Sequence, residues 1–455
     1  MYLIITLLAA AMSAAVASYF FVASDVYLVS PRYISIYLGF PAAIFAIAIA
    51  GCLFKSIREY VAITLITVAV SLAGFELFLF WQAPPYNKIQ ARRSNIEYHA
   101  TLAGRSVDPR NTSEVIKDLR ASGKDAWPTF SPTTFLLNGM TDGISIGGEQ
   151  TLPLTNVANT RSVYCNESGQ WLVFESDQFG FNNLPTYRTQ DSRPKAALVG
   201  DSFAQGACVS PTSSAQARLN ELNIFTQSFG VGGTGPLIQL GLLKEYVSRQ
   251  KPENVYWFFY EGNDMHTNLA IEEKNEKLLA YLAPGSTNNL VDQQTDIDQA
   301  LRDFISERMD DLESSETELK SPDFSLRETA KLIRLRTALK LVGCPTRNQN
   351  FELLRDVLFE AKRTVSSWGG QLQLVYLPAW DPSCDLFTPS APLEDSWMHD
   401  EVAGIAAAGS IPLIDVKAKQ YELGSPENFY WYPGSHFNDA GYDLVAQMIS
   451  ATIEP

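Results

Sequence analysis

The sequence predicts an α/β protein, a three-layer α/β/α sandwich on a parallel sheet, preceded by three transmembrane helices. Three observations predict it. From residue 195 onward, apolar runs of strand length alternate with amphipathic helical stretches, the pattern of parallel strands joined by crossovers. Residues 1–82 are almost wholly apolar and divide into three long spans. Residues 83–194, between these parts, are rich in Pro, Gly and Asn turns and read as a linker with a small, partly β lead-in.

The spans run from Tyr2 to Val22, Tyr33 to Leu53 and Val61 to Trp81. Each supplies about 20 largely uncharged residues, enough to cross ~30 Å of hydrocarbon. Ala15-Val16-Ala17 has the small residues of a signal-peptide cleavage site, but no basic segment precedes it and the apolar run continues, so the helix is read as retained. Lys55 and Arg58 favour a cytoplasmic second loop, which puts everything after Trp81 outside; Lys88, Arg92 and Arg93 pull the other way. Glu76, the one carboxylate within a span, is read as snorkelling or as packed among the three helices in preference to facing a partner or polar cavity.

In the lead-in, Ser113 to Ser122 reads as a brief helix with Glu114 in its first turn, and Ile144–Gly147 and Gln170–Glu175 read as strands. In the C-terminal domain, residues 195–455, strands are expected at Ala197–Gly200, Ile224–Phe229, Val255–Tyr260, Gln371–Leu377 and Ile411–Ile414. Helices are expected at Leu237–Arg249, Phe351–Trp368, Trp397–Ala408 and Ala440–Ile453. Residues 265–345 interrupt this alternation with amphipathic helices at Leu269–Leu282, Ile297–Leu312 and Leu326–Leu341. Because this insertion leaves the chain directly after Asn263-Asp264, it is read as a lid in preference to a solvated buttress.

With 50 acidic against 35 basic residues and no basic stripe, the composition argues against a nucleic-acid partner, which needs clustered Lys and Arg. Four cysteines lie outside the spans, namely Cys165, Cys208, Cys344 and Cys384. They allow two bridges, in three pairings, or buried free thiols. Cys208 by itself reads as a small packing residue. No C-x-x-C spacing occurs and the chain has only four His, so neither a metal site nor a cofactor is expected.

The stretch carrying the chemistry is Ala196-Ala-Leu-Val-Gly200-Asp201-Ser202, a buried-strand run that stops abruptly and presents a serine at a strand-to-helix turn. In order after it come Ser228-Phe-Gly230-Val-Gly232-Gly233, then Val255-Tyr-Trp-Phe-Phe-Tyr-Glu-Gly262-Asn263-Asp264, then His436-Phe-Asn-Asp-Ala-Gly441. Together these blocks resemble the SGNH (GDSL-type) hydrolase superfamily, whose sandwich is flavodoxin-like, and Phe174 to Asn182 looks like the lead-in of membrane-anchored bacterial members. The resemblance implies Ser202 as nucleophile and His436 as general base. It implies an oxyanion hole from Ser202, Gly233 (with Gly232 in reserve) and the Asn263 side chain, while Asp201 is read as bracing the turn. The family's last block usually carries an aspartate three residues before the histidine; here that residue is Pro433. Asp439, Glu427 and Glu422 are the carboxylates considered for orienting the imidazole, and a backbone carbonyl near Pro433, giving a Ser-His dyad, is the other route.

The resemblance implies a serine esterase or O-acyltransferase in the bacterial inner membrane, with its soluble domain periplasmic or otherwise extracytoplasmic. Its substrate would be the acyl, foremost acetyl, esters of an envelope or secreted polysaccharide. Trp431 and Tyr432 are the residues expected to stack on a glycan, and His266 to contact substrate. The alternative is a catalytically degenerate glycan-binding or assembly subunit of a polysaccharide export system, partnered by polysaccharide-assembly proteins; a lipid-directed esterase is a third reading.

Overall fold

The computed structural model describes residues 1–22, 34–83, 87–146, 148–185, 193–318, 324–339, 349–380 and 397–453. They form two compact units, one built from the described residues up to Asn87 together with 324–339, the other from most of the remainder. Gly147, Cys344 and Cys384, named in the expectations above, lie outside the described residues.

In the first unit, helices α1 (Tyr2–Val22), α2 (Ile34–Leu53) and α3 (Arg58–Gln82) are each long and apolar enough to cross a membrane. Leu8, Phe78 and Trp81 stand exposed, a surface suited to lipid. Where helices meet, the Cys52 thiol lies 3.3 Å from Thr6 Oγ1, and Arg58 folds back onto the carbonyls of Gly51 and Cys52, satisfying the open end of α2. Glu76 neither snorkels nor packs only among the helices. It is fully buried, and its carboxylate accepts the backbone N–H groups of Arg334 and Leu335.

The second unit centres on a five-stranded parallel sheet. Its strands are β1 (Ala196–Val199), β2 (Thr226–Ser228), β3 (Asn254–Tyr260), β4 (Gln371–Leu377) and β5 (Leu413–Asp415), in the order β5-β4-β3-β1-β2. β1 pairs with β3 from Ala196·Asn254 to Val199·Trp257. All four residues of β1 are buried, as expected for a strand covered on both faces. Along β3, Val255, Trp257 and Phe259 enter one core, while Tyr256 and Phe258 enter the other with Tyr442 and Val445 of the last helix, Asp439–Ser450.

The expected helix over Leu237–Arg249 is divided into Pro236–Leu242, a wider turn at Leu243–Val247 and Ser248–Gln250. Helix α4 (Lys88–Leu102) was not expected, because the prolines before it read as a break and its sequence has little amphipathic pattern. The insertion also differs from a lid. Leu269, Leu278, Leu290, Ile297, Leu301 and Phe304 are buried in the same core as Trp257, so this part of the insertion buttresses the sheet. Burying this many side chains stabilises by roughly 1.5–3 kcal/mol each, which favours docking over a mobile flap.

The lead-in forms a three-stranded sheet in which Ala126–Pro128 runs parallel to Arg161–Val163, itself antiparallel to Val173–Glu175. The last two strands make a hairpin that continues through Tyr164 and Cys165, each bonded to Leu172. Its tip is Asn166-Glu167-Ser168-Gly169.

Candidate active site

β1 is followed by Gly200, where the chain turns so close to β3 that an added Cβ would stand 2.8 Å from Phe258 Cβ. The next residue, Asp201, is buried and caps the short helix Ser202–Gln205 by accepting the Phe203 N–H at 2.9 Å. This fixes Ser202 at the carboxyl end of the sheet, the usual place for a ligand crevice. Ser202 Oγ lies 2.9 Å from His436 Nε2 and 3.2 Å from Asp201 Oδ2. A serine hydroxyl has one proton to donate, and the imidazole and the Asp201 carboxylate are both within its reach.

The carboxylate behind the imidazole comes from neither Asp439 nor Glu427. Glu167, at the tip of the lead-in hairpin, places Oε2 2.9 Å from His436 Nδ1 and 2.8 Å from the His436 backbone N–H. Its other oxygen accepts from Arg92 of α4 at 2.6 Å. Asp439 instead lines a nearby cleft, and Pro433 lies in a turn from Tyr432 to Ser435 closed by a 3.0 Å bond. No local spacing signals Glu167, which stands 269 residues before His436.

Cys165, two residues before Glu167, is bonded to Cys208, six residues after Ser202. The disulfide therefore ties the Glu167 hairpin to the segment after Ser202, and Cys208 is more than a packing residue. Further grips come from the lead-in: His99 stacks on Tyr432 at 5.0 Å, and the Arg105 guanidinium lies 4.6 Å from the Trp431 ring centroid. Tyr432 is thus only 5% exposed and presents no open face to a sugar. Trp431 lines a cleft of about 400 Å³ with Trp171, Ser168, Gln170, Ser210 and Asp439. His266 is half-buried just past Asn263, and burial lowers its imidazole pKa.

The electrostatics follow from burial and pairing. Burial alone would raise the Glu167 pKa, but the charge and hydrogen bonds of His436, with Arg92, pull it down to about 2. Burial pulls His436 down, and Glu167, with help from Asp201, more than reverses this, so the imidazole titrates above its ordinary value. Burial raises Asp201. The His436 side chain keeps 22% exposure while Glu167 keeps 3%, so the imidazole is reachable and the carboxylate is not.

Gly232 and Gly233 follow β2. The Gly232 N–H is taken by Gln205 Oε1 at 2.7 Å, whereas no acceptor for the Gly233 N–H occurs among the described residues. Gly233 has φ +73°, and its carbonyl accepts from Thr133 and Ser131. Asn263 ends the turn after β3; its side chain hydrogen-bonds Asp201, and its Oδ1 is buried without a partner. Tyr164, not foreseen from the sequence, reaches the same place. Its hydroxyl bonds Ser202, and an added Cβ on Gly232 would lie 2.2 Å from it.

Glu167, Cys208 and His436 have ligand-type atoms within 4.8 Å of one another. Two of these are already engaged, Cys208 Sγ by Cys165 and His436 Nδ1 by Glu167, so the set is better matched to a hydrogen-bonded triad than to a cation.

No protein-family model matches the chain, and no curated protein matches it. Among solved structures, it is similar to a lipase/acylhydrolase from Enterococcus faecalis, at 18% identity over 57% of this chain and 95% of that one, with a TM-score of 0.32. It is also similar to a lipolytic protein of the G-D-S-L family from Desulfitobacterium hafniense (13%, 56% and 97%, TM-score 0.31) and to an acetyl xylan esterase (12%, 57% and 99%, TM-score 0.30).

Proposed function

We propose that this chain is a membrane-anchored serine hydrolase or O-acyltransferase of SGNH type, acting on acyl esters, acetyl foremost, of an envelope or secreted polysaccharide. The observation that carries the reading is the continuous contact from Ser202 Oγ through His436 to Glu167, with both links at 2.9 Å. In the proposed reaction, Ser202 Oγ attacks the acyl carbon as His436 Nε2 takes its proton. The negative charge on the former carbonyl oxygen is met by the N–H groups of Ser202 and Gly233 and by the Asn263 amide. Collapse expels the sugar hydroxyl, which regains the proton from His436. Water or a second glycan hydroxyl, deprotonated by His436, then attacks the acyl-serine, giving a free acid or a transferred acyl group.

The Cys165–Cys208 bond supports an oxidising, extracytoplasmic location for the soluble unit, in line with Lys55 and Arg58 marking a cytoplasmic loop. Trp171 and Trp431, among the polar groups of the neighbouring cleft, suit a glycan better than an acyl chain. The presence of Glu167 favours an enzyme over the non-catalytic assembly subunit.

The test is to incubate the purified full-length protein with an acetylated polysaccharide, measuring free acetate and acetyl groups gained by an added acceptor glycan. Either product supports the reading and separates hydrolase from transferase. A folded protein that yields neither, on polysaccharide or on an activated acetyl ester, sinks it and turns the question to glycan binding.

Two further results are expected. Asn263→Ala should lower kcat/KM by about 10²–10³, the usual consequence of losing one oxyanion donor, with little change in KM. Replacing Cys165 and Cys208 together by serine should cost about 4 kcal/mol of unfolding free energy for a bridge spanning 43 residues, read as a lower denaturation midpoint. It should also depress turnover below that midpoint, because Glu167 loses its tether.

A further inference from the structure

Glu76 is the only acidic residue in the second half of α3 and is fully buried, although α3 otherwise exposes large apolar side chains. Its burial comes from the segment 324–339. One carboxylate oxygen lies 2.9 Å from the Arg334 backbone N–H and 3.5 Å from its guanidinium; the other lies 2.8 Å from the Leu335 N–H. Three more contacts hold the same segment. Arg334 lies 4.8 Å from the Phe80 ring centroid, Phe324 meets that ring edge-on at 5.5 Å, and Arg336 donates to the Tyr37 hydroxyl at 2.7 Å.

The depth of this docking follows from α3 itself. Glu76 lies six residues before Gln82, about 9 Å along the axis, and the 25 residues of α3 span roughly 37 Å against ~30 Å of hydrocarbon. The docked segment therefore sits near the boundary between acyl chains and headgroups. Its composition suits that place. Four basic residues, Arg327, Lys331, Arg334 and Arg336, stand against one acidic residue, Glu328. Arg334 and Arg336 are engaged by Glu76 and Tyr37, while Arg327 and Lys331 are exposed one helical turn apart. Leu326 is 76% exposed and Phe324 52%.

We infer that residues 324–339 form an interfacial segment in the leaflet where α3 ends, with Phe324 and Leu326 among the acyl chains and Arg327 and Lys331 against anionic phospholipid headgroups. Apolar side chains flanked by free cations are the combination by which peripheral segments hold an anionic bilayer. Glu76 is the anchor that sets the depth, and its burial is explained without a role in catalysis. The inference is independent of the Ser202 site.

The test uses the full chain in phosphatidylcholine nanodiscs containing a minor share of phosphatidylglycerol, with the photo-cross-linker p-benzoylphenylalanine in place of Leu326. Lipid adducts are expected, with phosphatidylglycerol over-represented roughly tenfold relative to its bulk share. The enrichment should disappear in the Arg327→Glu/Lys331→Glu variant, with folding checked by circular dichroism and elution volume. Adducts to protein, whether to this chain or to a second copy, would overturn the inference. So would lipid adducts that mirror the bulk composition in the parent chain, a result that stands even if the double variant fails to fold.

Discussion

Replacing Ser202 by alanine is expected to lower kcat/KM on an acetyl ester by about 10⁶, the scale seen when a serine nucleophile is removed from an intact triad. The fold should survive the change. Ser202 Oγ contacts the imidazole, Asp201 and Tyr164, while the strand, the Asp201 cap and the Gly200 turn do not depend on it. Thermal unfolding of the variant should therefore stay close to that of the parent chain, and the loss should appear in turnover. Activity that persists at the parental level would place the reacting group elsewhere.

Glu167→Gln is expected to cost about 10⁴ in turnover, because the neutral amide no longer fixes the Nδ1–H tautomer or stabilises the imidazolium formed when Ser202 gives up its proton. The pH profile supplies an independent sign. His436 acts as base only when neutral, so in the parent chain kcat/KM should fall as pH drops through a value above 6.5. In the variant the raising effect of the Glu167 charge is gone and burial remains, so the acid limb should move to lower pH. Glu427→Gln, by contrast, should shift neither rate nor profile substantially, and Asp439→Asn should leave the pH profile in place, since neither carboxylate meets the ring.

Much of this was legible in the sequence. The three apolar spans are read from length and the near absence of charge, because a bilayer offers the backbone no other partner. The buried parallel strands are read from runs such as Ala196-Ala-Leu-Val and Val255-Tyr-Trp-Phe-Phe, because a strand covered on both faces has no polar side. Ser202 and His436, which the structure brings to 2.9 Å, each belong to a recognisable local block. Glu167 does not. Its hairpin carries only turn residues and a cysteine, and its role exists only once the lead-in docks on the sheet. Pro433 shows only that the usual aspartate is missing and leaves another carboxylate or a backbone carbonyl open, and Cys165–Cys208 is one of three pairings the four cysteines allow. The insertion was misjudged for a related reason. Amphipathic helices show that one face is covered but not by what, and Leu301 and Phe304 cover the sheet.

Helix α4 adds a structural consequence. It begins at Lys88, shortly after α3 ends at Gln82, and carries both Arg92, which holds Glu167, and His99, which stacks on Tyr432 near the base. The Glu167 tip and Tyr432 are thus both held by α4.

The central claim is that Ser202 is activated by His436 with Glu167 behind it. The measurement that tests it most directly is the rate at which a fluorophosphonate labels the purified full-length protein and its Glu167→Gln variant, with the modified peptide located by mass spectrometry. Labelling confined to Ser202 and slowed by orders of magnitude in the variant is the expected result. Labelling at another residue, or equal rates in the two proteins, would contradict it.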